Sequence, residues 1–296
     1  MTAASVTVRA PAKVNVQLAV GDVRPDGFHD LANVFLAVGL HDEVTASPAD
    51  GLRITAEGRD IEGVPLDETN LAARAAILLA KRYGIEPDVR LHIVKDIPVA
   101  GGMAGGSADA AAALVACDAL WETGASREEL LAICAELGSD VPFSLVGGAA
   151  LGVGRGEQLT PLEVGGSFHW VFVTSEVGLS TPAVYRECDR LRAEGGTSVP
   201  EPVADPALLA ALRAGDAREL ARTLSNDLQG AAVSLRPELG DTLAAGVAAG
   251  ALAAIVSGSG PSCALLAADR AAGERIAGAI PRSHLAVGPA RGAVLV

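Results

Sequence analysis

The sequence predicts an α+β protein built in two halves, residues 1–160 and 161–296. Three observations carry the prediction. The chain has 296 residues, about two domains' worth at roughly 150 residues each. Its first 57 residues are short β-rich runs, whereas the last third alternates helical and strand patterns. Between Pro161 and Phe168 the composition changes.

Taken in order, the runs VTVRA, VNVQLAV, VFLAVGL, EVTAS and LRITAE, broken by Gly, Asp and Pro, predict short strands of a mostly antiparallel sheet. Residues Asn70 to Tyr83 carry apolar side chains at helical spacing, with Asn70 as N-cap and Gly84 as the stop. VRLHIVKDIP alternates as a strand does. The glycine loop Ala100 to Ser107 follows, and ADAAAALVACDALW continues as a helix of strong helix formers. Ser126 and Glu129 make a capping box for SREELLAICAEL, which Gly138 ends. Asp140 stands at the N-cap of VPFSLV, with Pro142 in the first turn.

LVGGAALGVGRGEQL reads as a hairpin, HWVFVT as a strand and TPAVYRECDRLRAE as a helix. Gly195 to Pro206 is a polar connection. Helices between Pro206 and Gly250 precede a strand-turn-strand at AAIVSGSGPSCALLAA, a helix at DRAAGERIAGAI and one closing strand at HLAVGPARGAVLV. Two strands flanked by helices, with a further strand on each side, predict a split βαβ or ferredoxin-like layer.

Composition narrows the function. Aromatic residues are only 3% of the chain, so the core is built from Ala, Val, Leu and Ile. A formal net charge of −13 repels polyanions and argues against nucleic-acid or anionic-membrane binding. Any phosphate must be held locally, by backbone amides or a few placed cations. Cys117, Cys134, Cys188 and Cys263 form no C-x-x-C pair, which favours buried thiols in a reducing cytosol over a metal or disulfide frame. The N-terminus shows no secretory pattern, and the uncharged run Thr242 to Ala268 is broken by Ser257-Gly-Ser-Gly-Pro-Ser262, so no span is expected.

The strongest chemical feature is Ile97 to Asp109, where four glycines sit between a predicted strand and a predicted helix. Glycines let main chain approach an anion, and a helix start offers free amides. The same glycines also suit a tight turn that only packs helix on strand. The segment has neither the Lys-Ser/Thr ending of a P-loop nor a G-x-G-x-x-G spacing. Lys13 and Asn15 fall on one face of a strand, where together they can hold an oxyanion, although a lysine this near the N-terminus also suits solvated surface. Asp140 is a carboxylate in an apolar, glycine-bounded segment, awkward to bury unless paired or used in proton transfer. Ser257 to Gly260 is a second small-residue turn, either an anion nest or a plain hairpin. Phe28 and His29 follow a turn and suit stacking on and hydrogen-bonding to a base, or simple exposure.

Taken together and in this order, Pro11-Ala-Lys-Val-Asn15, the 98–109 loop, Gly138-Ser-Asp-Val-Pro142 and Ser257-Gly-Ser-Gly-Pro261 resemble the three motifs of the GHMP kinases. Asp26-Gly-Phe-His-Asp-Leu31, Asp67-Glu-Thr-Asn-Leu71, Gly178 to Tyr185 and Ser225-Asn-Asp227 make the chain similar to the branch that phosphorylates the 2-hydroxyl of 4-diphosphocytidyl-2-C-methyl-D-erythritol (CDP-methylerythritol), in non-mevalonate isoprenoid synthesis. The resemblance runs from about residue 6 to the end. It implies an N-terminal half like the second domain of ribosomal protein S5, a ferredoxin-like C-terminal half, and a site in the cleft between them.

It further implies ATP along Pro98, Val99, Ala100, Gly101, Gly102, Met103, Ala104, Gly105, Gly106, Ser107 and Ala108, with Asn70 and Lys95 near the adenosine. Lys13 and Asp140 match the family's catalytic pair. His29 falls where the family reads the cytosine edge, with Phe28 and Tyr185 as aromatic faces. Asn15, Thr181, Ser257, Gly258, Ser259 and Gly260 fall near the acceptor's hydroxyl and diphosphate groups. The branch commonly has Tyr where Phe28 stands, so a phenolic contact is lost while stacking is kept. Mg²⁺ is implied on the ATP phosphates, carried by nucleotide and water without a carboxylate cage, with Ser107 at the helix start as a candidate contact. The partner implied is one small molecule, for a cytoplasmic monomer or homodimer. The remaining readings are a homoserine-type or mevalonate-type kinase of the same family, a non-catalytic nucleotide-binding module, and an acidic scaffold protein.

Overall fold

A computed structural model describes residues 5–59, 61–99, 101–175, 177–196 and 198–296. Two long strands dominate its first part: β1 (Val6–Val23, 18 residues) and β2 (His29–Pro48, 20 residues), paired antiparallel. Four of the short runs expected from the sequence therefore fuse into two strands. Register shifts at Pro11/Ala12, Asn15/Gln17 and Val20/Val23 absorb the residues that looked like breaks, and Pro11 sits at the first of them. Next come β3 (Arg53–Gly58), α1 (Leu71–Tyr83) and β4 (Val89–Lys95), with β3 parallel to β4. The Asn70 side chain accepts from the Ala72 N–H and Gly84 closes α1 at φ 66°, as the sequence predicts.

Helix α2 (Gly105–Trp121) starts earlier than expected and is buried along most of its length, because its alanines let it lie close on β1 and β2. It is followed by α3 (Arg127–Leu137), which has the predicted capping box, α4 (Val141–Val146), and the hairpin β5 (Ala149–Val153) and β6 (Gln158–Pro161).

The second half contains β7 (Phe168–Val173), α5 (Thr181–Gly195), α6 (Pro206–Ala214), α7 (Ala217–Thr223), the short β8 (Ser225–Asn226), α8 (Gln229–Leu235) and α9 (Glu238–Ala248). Then come β9 (Ala253–Val256), β10 (Cys263–Ala267), α10 (Arg270–Ala279), β11 (Ser283–Gly288) and β12 (Val294–Leu295). The sheet order β11-β7-β10-β9, with antiparallel neighbours throughout, is that of the predicted split βαβ, ferredoxin-like layer.

The closing strand differs from the expectation. HLAVGPARGAVLV is two strands: β11 stays in this sheet, whereas β12 returns to the first sheet and pairs with β1 at Val8 and Arg9. Short β8 runs parallel to β1 at Gln17 and Leu18. One apolar cluster spans both halves, joining Val8, Val14, Leu36 and Leu114 to Phe168, Trp170, Leu208 and Leu266. All four cysteines are buried and free, and burial pushes the thiols of Cys117, Cys134 and Cys263 up to about 12.

Candidate active site

Pleat alternation places Lys13 and Asn15 on the same side of β1. Lys13 is 4% exposed, and its Nζ donates to Asn15 Oδ1 at 2.6 Å. Asn15 Nδ2 in turn donates to Asn33 Oδ1 on β2 at 2.8 Å, which fixes the amide orientation. Lys13 Nζ also lies 3.5 Å from Asp140 Oδ2 and 5.9 Å from the Phe35 ring centroid. Asp140 does occupy the N-cap position of α4, but its side chain makes no cap hydrogen bond; only its carbonyl accepts, from the Ser144 N–H at 3.1 Å. The carboxylate is left for Lys13 and for the cavity, with a third of the side chain exposed.

Two tasks divide the glycines of the 98–108 loop. Gly101 (φ 91°) and Gly102 (φ 81°) turn toward the second small-residue turn, where Ser257 Oγ donates to the Gly102 carbonyl and Ser262 Oγ to that of Gly101, each at 2.8 Å. A Cβ on Gly102 would stand 2.5 Å from the Ser257 carbonyl oxygen. Gly105, Gly106 and Ser107 form the first turn of α2, preceded by Ala104 in the left-handed region at φ 61° with no side-chain cap. Their N–H groups have no carbonyl one turn back, and the positive end of a 17-residue helix faces the cavity. Pro98 and Val99 also line the cavity, whereas Met103 and Ala108 are core residues. Ala100 lies outside the described residues.

Lys95 is buried and held by two carboxylates, Asp42 on β2 and Asp109 on α2, the latter at 2.6 Å. Asp42 Oδ1 also accepts the N–H groups of Asp96 and Ile97, each at 2.8 Å. This cluster fastens both ends of the glycine loop. Burial alone would push the Lys95 ammonium down, but Asp109 and Asp42 outweigh it and hold Lys95 above its ordinary value. Two carboxylates facing one ammonium leave an excess negative charge, and burial pushes the Asp109 carboxyl up to about 8. Lys95 is thus an anchor of the loop and not a free cation. Asn70 is likewise occupied: Oδ1 caps α1, and Nδ2 donates to the Pro65 carbonyl at 2.7 Å.

At the other end of the cavity, His29 Nε2 lies 2.9 Å from Asp189 Oδ1, and the His29 and Tyr185 ring centroids are 5.0 Å apart. Burial, with the charge of Asp140, raises the Tyr185 phenol, which stays neutral. Phe28 is half exposed, with the Arg155 guanidinium 5.2 Å from its ring centroid. Thr181 Oγ1 and Ser259 Oγ are hydrogen-bonded at 2.8 Å. Of the second turn, Gly258 and Ser259 reach the cavity; Ser257 and Gly260 face inward and serve packing.

These groups surround one cavity of about 900 Å³, lined from both halves. Sequence reading missed Asn33, Asp109, Arg155 and Asp189 in its lining. Asp189 had a readable signal, since it lies four residues beyond Tyr185 and eight beyond Thr181, on one helical face. Among the described residues no group of three or more His, Cys, Asp or Glu is placed to hold a metal. No helix among them is long and apolar enough to cross a membrane.

Residues 70–148 match the GHMP kinases N terminal domain and residues 208–286 the GHMP kinases C terminal family. The chain is 70% identical to the 4-diphosphocytidyl-2-C-methyl-D-erythritol kinase of Streptomyces coelicolor, with 99% of each chain covered. It is 58% identical to the enzyme of that name from Thermobifida fusca, over 99% of this chain and 98% of the other. A crystal structure of 4-(cytidine 5'-diphospho)-2C-methyl-D-erythritol kinase superimposes with a TM-score of 0.80 at 33% identity, covering 95% of this chain and 98% of that one. The homoserine kinase of Cytophaga hutchinsonii shares the fold, with a TM-score of 0.74 at 23% identity over 99% and 97% of the two chains.

Proposed function

The chain belongs to the GHMP kinases and, within them, to the 4-diphosphocytidyl-2-C-methyl-D-erythritol kinase family, and from this premise we propose how its residues phosphorylate that acceptor's 2-hydroxyl with ATP. One observation carries the reading. The buried Lys13 and the part-exposed Asp140 face the same cavity as the uncapped start of α2, while His29 and Tyr185 close its far end.

The nucleotide lies along the glycine loop, its phosphates on the amides of Gly105, Gly106 and Ser107. Mg²⁺ carried on the ATP would offset charge between the phosphates. The acceptor's cytosine lies by His29, between Phe28 and Tyr185, and its diphosphate by Asn15, Thr181, Gly258 and Ser259. Asp140 takes the proton of the 2-hydroxyl as that oxygen bonds to the γ-phosphorus; the bond from the γ-phosphorus to the β-bridging oxygen breaks, and ADP leaves with its electron pair. Lys13, 3.5 Å from Asp140, pairs with it and steadies the charge in transit. Residues 1–160 and 161–296 supply the two walls of the cleft. ATP and a charged cytidylyl ester are cytoplasmic solutes, which makes the cytoplasm the working compartment.

The test is a coupled ADP-release assay with Mg-ATP and a panel of acceptors. Turnover with the cytidylyl acceptor and none with homoserine or mevalonate is expected. Turnover with either of the latter alone would reassign the substrate while leaving the family intact.

A further inference from the structure

Helix α5 presents Thr181, Tyr185, Asp189 and Arg192 at intervals of four, four and three residues, a single stripe along one helical face. Thr181, Tyr185 and Asp189 line the cavity, and Arg192 continues the stripe beyond it. Thr181 meets Ser259 of the second turn, Tyr185 packs beside the His29 ring, and Asp189 holds His29 Nε2. Arg192 donates to the Val20 carbonyl at 2.8 Å, to the Gly21 carbonyl at 3.2 Å and to Asp227 at 3.1 Å. One helix of the second half thereby grips the β1–β2 end of the first half, where the base is read.

We propose that Asp189 is a positioning residue for acceptor recognition: it holds the His29 ring in one orientation and one tautomer and so selects a cytosine over a uracil. The inference rests on the reading of His29 as the base contact given above. An ionised carboxylate only accepts, so the hydrogen sits on Nε2, and in the neutral imidazole Nδ1 is left as the lone-pair acceptor. An acceptor pairs with the exocyclic amine of cytosine and is repelled by the carbonyl that uracil carries in its place. The ring has little room to turn otherwise. Its side chain is 6% exposed, and the Tyr185 ring lies against it with an interplanar angle of 34°.

The test compares wild type with Asp189→Ala, Asp189→Asn, His29→Ala and the double variant carrying both alanines, using cytidylyl and uridylyl acceptors, and adds ¹⁵N NMR of the His29 ring. Asp189→Ala should raise KM for the cytidylyl acceptor about tenfold, with a smaller change in KM for ATP. Preference for cytidylyl over uridylyl acceptor should shrink by a similar factor, Asp189→Asn should fall between, and adding Asp189→Ala to His29→Ala should do nothing further. The NMR should place the ring hydrogen on Nε2 in wild type and show a mixture of the two neutral tautomers in Asp189→Ala. An unchanged acceptor KM, or KM values for both substrates rising together with a lower melting temperature, overturns the proposal. So does a wild-type ring with its hydrogen on Nδ1, whatever the activity. A wild-type enzyme that leaves the cytidylyl acceptor untouched overturns the substrate assignment instead, and the NMR still decides Asp189.

Discussion

Burying an ammonium is costly unless it is paired and hydrogen-bonded, and Lys13 meets both conditions with Asn15 at 2.6 Å and Asp140 at 3.5 Å. In the mechanism proposed above the looser and more exposed partner, Asp140, is the one that meets the acceptor, while Asn15 continues to hold Lys13. Asp140→Asn should lower kcat at least about 100-fold with KM for ATP nearly unchanged, read by ADP release. A matching loss of ATP affinity would move Asp140 from the acceptor to the nucleotide. Asp109 poses a separate test. Its folded-state carboxyl titrates near 8 against 3.8 for the free group, so between those values the folded chain holds a proton that the unfolded chain has released. Stability from this group is complete below about pH 4 and is lost as pH rises toward 8. Asp109→Asn should therefore gain on wild type between pH 5 and pH 8 in denaturant midpoint, and a constant difference would refute that titration.

The glycines and caps show what an element can disclose locally. Asn70, Gly84 and the Ser126–Glu129 capping box act within a few residues of themselves, so the limits of α1 and α3 were legible in the sequence. The β1 and β2 strands were not, because bulges and burial on both faces hide their continuity. Nor could the sequence separate the two tasks of the glycine loop. Gly102 needs φ 81° and a bare Cα to meet Ser257, which is far away in sequence. Gly102→Ala should cost about 1–3 kcal/mol of stability and raise KM for ATP. Gly278→Ala, in an exposed stretch of α10 where a Cβ meets nothing within 4 Å, should instead stabilise by about 0.5–1 kcal/mol. Urea unfolding of the two variants checks both signs.

Across the whole molecule, the halves are bound by the shared apolar cluster, the strand pairings of β8 and β12 with β1, the serine hydroxyls that hold the glycine loop, and the side-chain bonds of α5 to β1 and β2. Calorimetry should accordingly show one cooperative unfolding transition, and two resolved transitions would contradict this coupling. Saturating Mg-ATP should raise the melting temperature by mass action. With a net charge of −13, anion binding has to be local, and the proposed nucleotide site puts it on the uncapped amides at the start of α2.

By itself the sequence determined the fold class, the limits of α1 and α3, the ferredoxin-like layer and the ordered set Lys13, glycine loop, Asp140 and second turn, since each depends on residue types at short or fixed spacing. Only the tertiary structure decided that Lys95 is tied to Asp42 and Asp109, that Ser257 holds the loop instead of the acceptor, that β12 returns to β1, and that Asp189 meets His29. Those pairings join residues 14 to more than 280 positions apart, and no local periodicity encodes which distant partner a buried charge or an edge strand will find.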